Sequence, residues 1–304
     1  MKNQNLQTSD NEFNSARMKA LRESVFSILN PEKKEMLSFY DIKSLIKPKA
    51  EFYMGMQTVP LDKIVGSEGR YHDFNRAFLP KREHLRSRWR SINVAAIEDV
   101  YLPPVKLFKI GEIYFVRDGN HRVSVARLRG QIDIDAEITE LTSEIDVEPE
   151  DTVSELRKKV IAFELNRIRE RSGLADWVNF EEIKFTAPGR YEEMLRHILG
   201  HQEYLTRKAE GKEVPIMKAA PSWFMSIYLP VVNIILDEKL MERFPDRTEA
   251  DLYVWVMKHW NDLEDRYGNY PKIQKNGRWP GKFMINRVYI RILKFFRFIF
   301  GKKR

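Results

Sequence analysis

The run Val116-Arg117-Asp118-Gly119-Asn120-His121-Arg122 gathers the residue types that hold an anion. A strand ends there, the chain turns at glycine and a helix begins. The first turn of a helix leaves backbone N–H groups without intrahelical partners and carries the positive end of the macrodipole, so negative charge is favoured there. Gly119 lets a ligand approach the backbone, while His121 and Arg122 add side-chain donors, the arginine as a planar fork matched to phosphate oxygens. Asp118 has three available roles: orienting His121 or Arg122, holding a phosphate-bridging Mg²⁺, or accepting a proton from a substrate hydroxyl. The same residues also suit a plain turn in which Asn120 caps the helix and His121 and Arg122 are solvated. Arg70, in an earlier loop beside Glu68, is a further candidate contact to phosphate or base, while Arg70 and Arg76 equally suit plain exposure to solvent.

The elements expected to position these residues form an α+β pattern between about residues 58 and 150. Val59 to Val65 reads as one short strand leading to a turn at Gly66-Ser67-Glu68-Gly69, and Leu85 to Ile97 as a helix. A hairpin around Gly111 joins Pro104–Ile110 to Ile113–Val116. The next helix runs through Arg129 and is stopped by Gly130, and a strand over 132–138 places Ile132, Ile134, Ala136 and Ile138 on one face. Residues 1–57 are expected to be a helical extension, with Met18, Leu21, Val25, Ile28 and Leu29 as the apolar stripe of a helix over 15–29. Residues 151–280 read as a mainly helical domain, with helices over Val153–Arg171 and Tyr191–Arg207. Another starts at the capping-box-like Thr248-Glu249-Ala250-Asp251 and carries Leu252, Trp255, Val256, His259 and Leu263 on one stripe.

The region from Val59 to Leu141 resembles the ParB/sulfiredoxin superfamily. Leu102-Pro103-Pro104-Val105, the box Asp118-Gly119-Asn120-His121-Arg122-Val123-Ser124-Val125-Ala126-Arg127 and Gly130 fall in that family's order. The resemblance implies a ParB/sulfiredoxin fold whose box, from Gly119 through Asn120 and His121 to Arg122, binds the phosphates of a nucleotide such as ATP, ADP or CTP, with Mg²⁺ as an accompanying ion. Sulfiredoxins carry a cysteine in the box where this chain has Asn120, and the chain contains no cysteine at all. ParB partition proteins continue into a helix-turn-helix module, whereas nothing after Thr152 presents a basic recognition helix. The free-serine kinase branch has an Asp-Gly-His-His-Arg box with an acidic residue in the earlier loop. Here Asn120 replaces the first of those histidines and Glu68 stands in the acidic place. By that resemblance Glu68 or Asp118 would activate a hydroxyl, while Arg122 and the helix terminus would hold the phosphate. The expectation is a nucleotide-dependent regulatory or binding protein, with a phosphotransferase or nucleotide hydrolase as the alternative and a DNA-binding protein or nuclease as a third.

The segment from Glu155 to Gly268 resembles a bacterial domain family of unknown function (DUF4032), chiefly through Phe244-Pro245-Asp246-Arg247-Thr248-Glu249-Ala250-Asp251-Leu252-Tyr253. It brings no chemistry with it. Within this segment, Glu193, His197 and His201 recur at i+4 spacing, which suits a metal or, more simply, a helix packing seam. Trp223, Trp255, Trp260 and Trp279 suit core positions better than a base-stacking platform.

Of the 304 residues, 52 are basic and 44 acidic, a formal charge of +8. Eight of the basic residues and none of the acidic ones lie in 282–304, so the remainder is formally neutral and DNA is not the favoured partner. That segment alternates Arg287, Arg291, Lys294 and Arg297 with apolar residues at helical spacing. It reads as a basic amphipathic helix over 281–304, suited either to an anionic membrane surface or to packing on the body. Ala219 to Leu236 carries no charge, but its prolines and polar residues favour buried core over a membrane span. The start, Met1-Lys2-Asn3-Gln4, has no apolar run of a secretory signal, so the expected location is the cytoplasm, with peripheral attachment to the membrane's inner face as an option.

Overall fold

A computed structural model describes residues 2–26 and 35–258. The chain divides into two compact units, and the boundary falls between Val160 and Ile161.

The first unit is built on a six-stranded mixed sheet. Its elements are helix α1 (Lys2–Phe26), strand β1 (Leu37–Ser38), helix α2 (Phe39–Ile46), β2 (Ala50–Pro60), β3 (Ile64–Ser67), α3 (Arg86–Ile97), β4 (Val105–Ile110), β5 (Ile113–Asp118), α4 (Asn120–Leu128) and β6 (Asp133–Thr142). The strand order is β1-β3-β5-β4-β6-β2. β3 runs parallel to β5 and β4 parallel to β6, while β4 and β5 form the expected antiparallel hairpin. Because successive strand residues face opposite sides, β5 feeds two layers. Tyr114 and Val116 join a core with Trp89 of α3 and Val123 of α4, whereas Phe115 meets Phe39 of α2 on the other face. Phe39 also stacks on Phe108 at 4.2 Å.

Two of these elements depart from the expectation. The strand expected at Val59 begins at Ala50, and β1 also belongs to the sheet, so the α+β unit starts well before residue 58. Pro60 ends β2, a short 3₁₀ turn over Leu61–Lys63 follows, and Ile64 opens β3, so the single strand is two. Arg127 clamps that junction by donating to the carbonyls of Leu61, Ile64 and Arg76. Burial pushes its guanidinium down to about 10. In α1 the stripe is also different: Met18 and Leu21 are about half exposed, and Ser9, Phe13, Ala16 and Ala20 face inward. Small residues let α1 approach α3 closely, with the Phe13 ring edge-on to Trp89 at 5.6 Å and Asn93 Nδ2 donating to Ser9 Oγ at 3.0 Å. Ile28 and Leu29 lie outside the described residues. In the last strand Ala136 and Ile138 are buried as expected, but Ile132 precedes the strand and is exposed.

The unit boundary falls inside α5 (Val153–Ser172), whose start is closed by a reciprocal cap between Thr152 and Glu155. The second unit adds α6 (Arg190–Lys208), α7 (Ile216–Trp223), α8 (Leu229–Asp237) and α9 (Glu249–Lys258). Thr248 and Asp251 cap α9 reciprocally at 3.2 Å. Ile216–Asp237 is long and apolar enough to cross a membrane by length and composition alone. Trp223, Tyr228, Val231, Ile234 and Ile235 from that run are buried in the unit's hydrophobic core with Tyr253 of α9. Its α-helical ladder widens to a π-turn over Phe224–Tyr228, where Pro230 has no N–H to offer Ser226.

Candidate functional site

Gly119 is the pivot of the site. It has φ 106° and ψ 22°, and a side chain there would stand 2.6 Å from Val105 Cγ1. Only glycine takes this backbone without strain or collision. The first intrahelical bond of α4 is Val123 N–H to Gly119 O at 3.0 Å, and the cap residue has no side chain to accept from the N–H groups of Asn120, His121 and Arg122. That uncapped terminus opens on a pocket of about 330 Å³ formed by residues 118–122 together with Arg70, His84, Leu85, Arg88 and Ile92.

The pocket is rich in positive charge. Arg70 is steadied by Asp73 at 2.9 Å, and that carboxylate is also 3.7 Å from both Arg82 and His84. Arg88 has no ion-pair partner among the described residues. His121 reports the result: burial, then the charges of Arg70 and Arg88, push its imidazole down to about 4, so it is neutral at physiological pH. Its ring meets Phe74 edge-on at 5.4 Å, and its Nδ1 is buried without a partner. Asn120 is 8% exposed, and its Oδ1 is likewise buried and unpaired. Two unsatisfied polar atoms in successive residues are uncommon in a protein interior, where nearly all such groups are bonded.

Asp118, Gly119, Asn120, His121, Arg122 and Arg70 all reach the pocket, but two expected roles change. The Arg122 guanidinium donates to the carbonyls of Pro103 and Pro104, the latter at 2.7 Å, and to Asp118 Oδ2 at 2.6 Å. It therefore ties the Pro103–Pro104 segment to α4, with its fork largely engaged before any ligand arrives. Asp118 is held by the same bond. Glu68 does not line the pocket. Its carboxylate accepts from Tyr40 Oη at 2.7 Å, and Tyr40 belongs to α2, the helix of the opposite sheet face. Of the two candidate carboxylates, Asp118 therefore lines the pocket and Glu68 does not. Arg76 is not a solvated cation either, since it donates to the carbonyls of Pro149 and Asp151.

His84 and Arg88 were not anticipated as site residues. The signal lay in Lys81-Arg82-Glu83-His84-Leu85-Arg86-Ser87-Arg88-Trp89-Arg90, a basic run at the start of α3. Arg86 and Arg90 pair with Asp10, which leaves Arg88 to the pocket.

The other candidates resolve into packing. His197 Nδ1 is 3.1 Å from Tyr253 Oη and His201 Nε2 is 3.0 Å from Ser222 Oγ, which places both on helix seams of the second unit. No group of three potential metal ligands occurs among the described residues. Asp251 accepts from Thr186 and Thr248, while Arg247 donates to Thr186, so this acidic and basic set fastens the start of α9. Trp223 is fully buried; Trp260, Trp279, His259, Leu263 and the basic segment 281–304 lie outside the described residues.

No protein-family model matches the chain, and neither a curated protein nor a solved structure matches it.

Proposed function

We propose that the first unit is a ParB/sulfiredoxin-like domain that binds a nucleotide by its phosphates, in a nucleotide-dependent regulatory or binding protein. The observation that carries this reading is the glycine-pivoted, uncapped N-terminus of α4 facing Arg70 and Arg88 across the pocket. Backbone donors, helix dipole and two guanidinium groups converge on one volume, and each favours negative charge. Asn120 Oδ1 and His121 Nδ1, both buried without a partner, add polar atoms at the same place.

Binding is better supported than phosphoryl transfer. A transferase needs a carboxylate free to take a hydroxyl proton, whereas Asp118 is bound to Arg122 and Glu68 to Tyr40. Asp118 is also the one carboxylate lining the pocket, so the protein offers a poor cage for Mg²⁺. Any such ion would be held mainly by the nucleotide's own phosphates.

Calorimetry of the full chain with ATP, ADP and CTP, with and without Mg²⁺, tests the reading. At least one should bind, and Arg88→Ala should weaken it about tenfold, the worth of one charge-assisted hydrogen bond. Absence of binding to folded wild type, or unchanged affinity in Arg88→Ala, would overturn it.

A further inference from the structure

The sheet has two edges of unequal character. β1 is two residues long, but β2 at the far edge is eleven residues long and pairs only with β6. Its outer row of N–H and C=O groups has no strand partner among the described residues. Proteins guard such edges with charge, proline, bulges or short length, because an open ladder pairs readily with another chain. β2 has a bulge between Tyr53 and Gly55 and a proline at its end, but it is long and lacks charge. No charged residue occurs from Phe52 to Pro60, and Glu51 is neutralised by Lys43 at 2.5 Å. Phe52, Tyr53, Met54 and Met56 are 54%, 69%, 43% and 54% exposed, a cluster of large apolar side chains on both faces of one strand.

We propose that β2 pairs antiparallel with β2 of a second copy of this chain, joining the two sheets edge to edge in a two-fold dimer. An antiparallel edge is self-complementary under a two-fold axis, since residue i of one copy faces residue j of the other and the reverse. Centred near Gly55, the pairing sets each Glu51 against the uncharged Thr58–Val59 end of its partner strand, so no like charges meet. The four apolar side chains expose on the order of 500 Å² per copy, and burying them from both copies reaches roughly 1,000 Å², where specific interfaces begin. The bulge between Tyr53 and Gly55 falls near the centre of this pairing and divides it into two short ladders, and the proline at residue 60 ends it. The short β1 edge offers nothing to extend the assembly, so it closes at two copies. This inference is independent of the nucleotide reading.

Sedimentation of the full chain tests it. The expected result is a dimer at about 10 μM that becomes monomeric in the double variant Phe52→Lys/Met56→Lys, with at least about a hundredfold weaker association. Both side chains are exposed, so the variant should keep the wild-type circular dichroism spectrum. The absence of native cysteine permits a second measurement. A short bismaleimide should capture a covalent dimer of Met54→Cys but not of Tyr101→Cys, whose site is 83% exposed and off the sheet. A wild type that stays monomeric to about 100 μM, a dimer that survives both lysines, or equal capture at the two cysteines would overturn the proposal.

Discussion

Replacing Gly119 with alanine places a methyl carbon 2.6 Å from Val105 Cγ1, 3.0 Å from Val105 Cβ and 3.1 Å from Arg122 Nε. Val105 is 1% exposed on β4, so it has no free space to move into. The backbone contribution, a non-glycine residue held at positive φ, costs about 1–2 kcal/mol. Forcing an extra carbon into a packed core adds about 1–3 kcal/mol. Gly130 provides the control: it also has positive φ, 71°, but nothing lies within 4 Å of an added methyl. Gly130→Ala should therefore cost only the backbone part. Hydrogen exchange of the β5 and α4 amides in the full chain reads the first unit by itself. Protection should fall more than about thirtyfold in Gly119→Ala and about tenfold in Gly130→Ala, at 1.4 kcal/mol per factor of ten. Equal losses in the two variants, or a smaller loss in Gly119→Ala, would refute the claim that this turn is built around contact with Val105.

The hydrogen bond to Glu68, and then its charge, hold the Tyr40 phenol above its ordinary 10. In Glu68→Gln an ultraviolet titration should show one tyrosine ionising at lower pH, while nucleotide affinity stays unchanged; an unmoved tyrosine titration would mean the pair does not form. His121 is pushed down to about 4 in the folded state, from 6.5 when unperturbed. Between those values the unfolded chain binds the extra proton, so stability of the first unit is full above about 6.5 and declines as pH falls toward 4. The His121 ring resonances should stay flat from about pH 8 to 6, and a midpoint near 6.5 would show that burial and the arginines do not act as described.

What the sequence made legible followed from local chemistry. The β4–β5 hairpin around Gly111, the stop of α4 near Gly130 and the Thr248 cap each depend on a few adjacent residues with restricted backbone options. β2 was half missed for a physical reason: an edge strand exposed on both faces has no apolar and polar alternation to announce it. The buried face of α1 was misread because Ser9, Ala16 and Ala20 bury little area but permit close approach, while the larger Met18 and Leu21 remain outside. The turn at Gly119 and the approach of Arg70 to it are legible in the sequence, whereas the engagement of Arg122 by backbone carbonyls is not. Nothing in the motif reveals that Pro103 and Pro104 present carbonyls to Arg122, because that contact spans the β4–β5 hairpin.

Arg122 and Arg127 of the motif are held by backbone carbonyls, unlike Arg70 and Arg88 of the pocket. Arg122 and Arg127 lie in the helix that opens at Gly119, and both are engaged with backbone carbonyls that hold the turn and the β2–β3 junction in place. The other two arginines that line the pocket, Arg70 and Arg88, come from a loop and a helix distant in sequence. Net charge does not reveal this, since the chain outside 282–304 is formally neutral. What counts is that Asp73 lies beside both Arg70 and Arg82, Asp118 is taken by Arg122, and Arg88 has no ion-pair partner among the described residues. The depressed proton affinity of His121 comes first from its burial and then from Arg70 and Arg88. At physiological ionic strength such a field decays over about 8 Å. It acts on an anion inside the pocket and hardly on one outside it, and for that reason the proposed ligand is a compact phosphate group and not an extended polyanion lying across the surface.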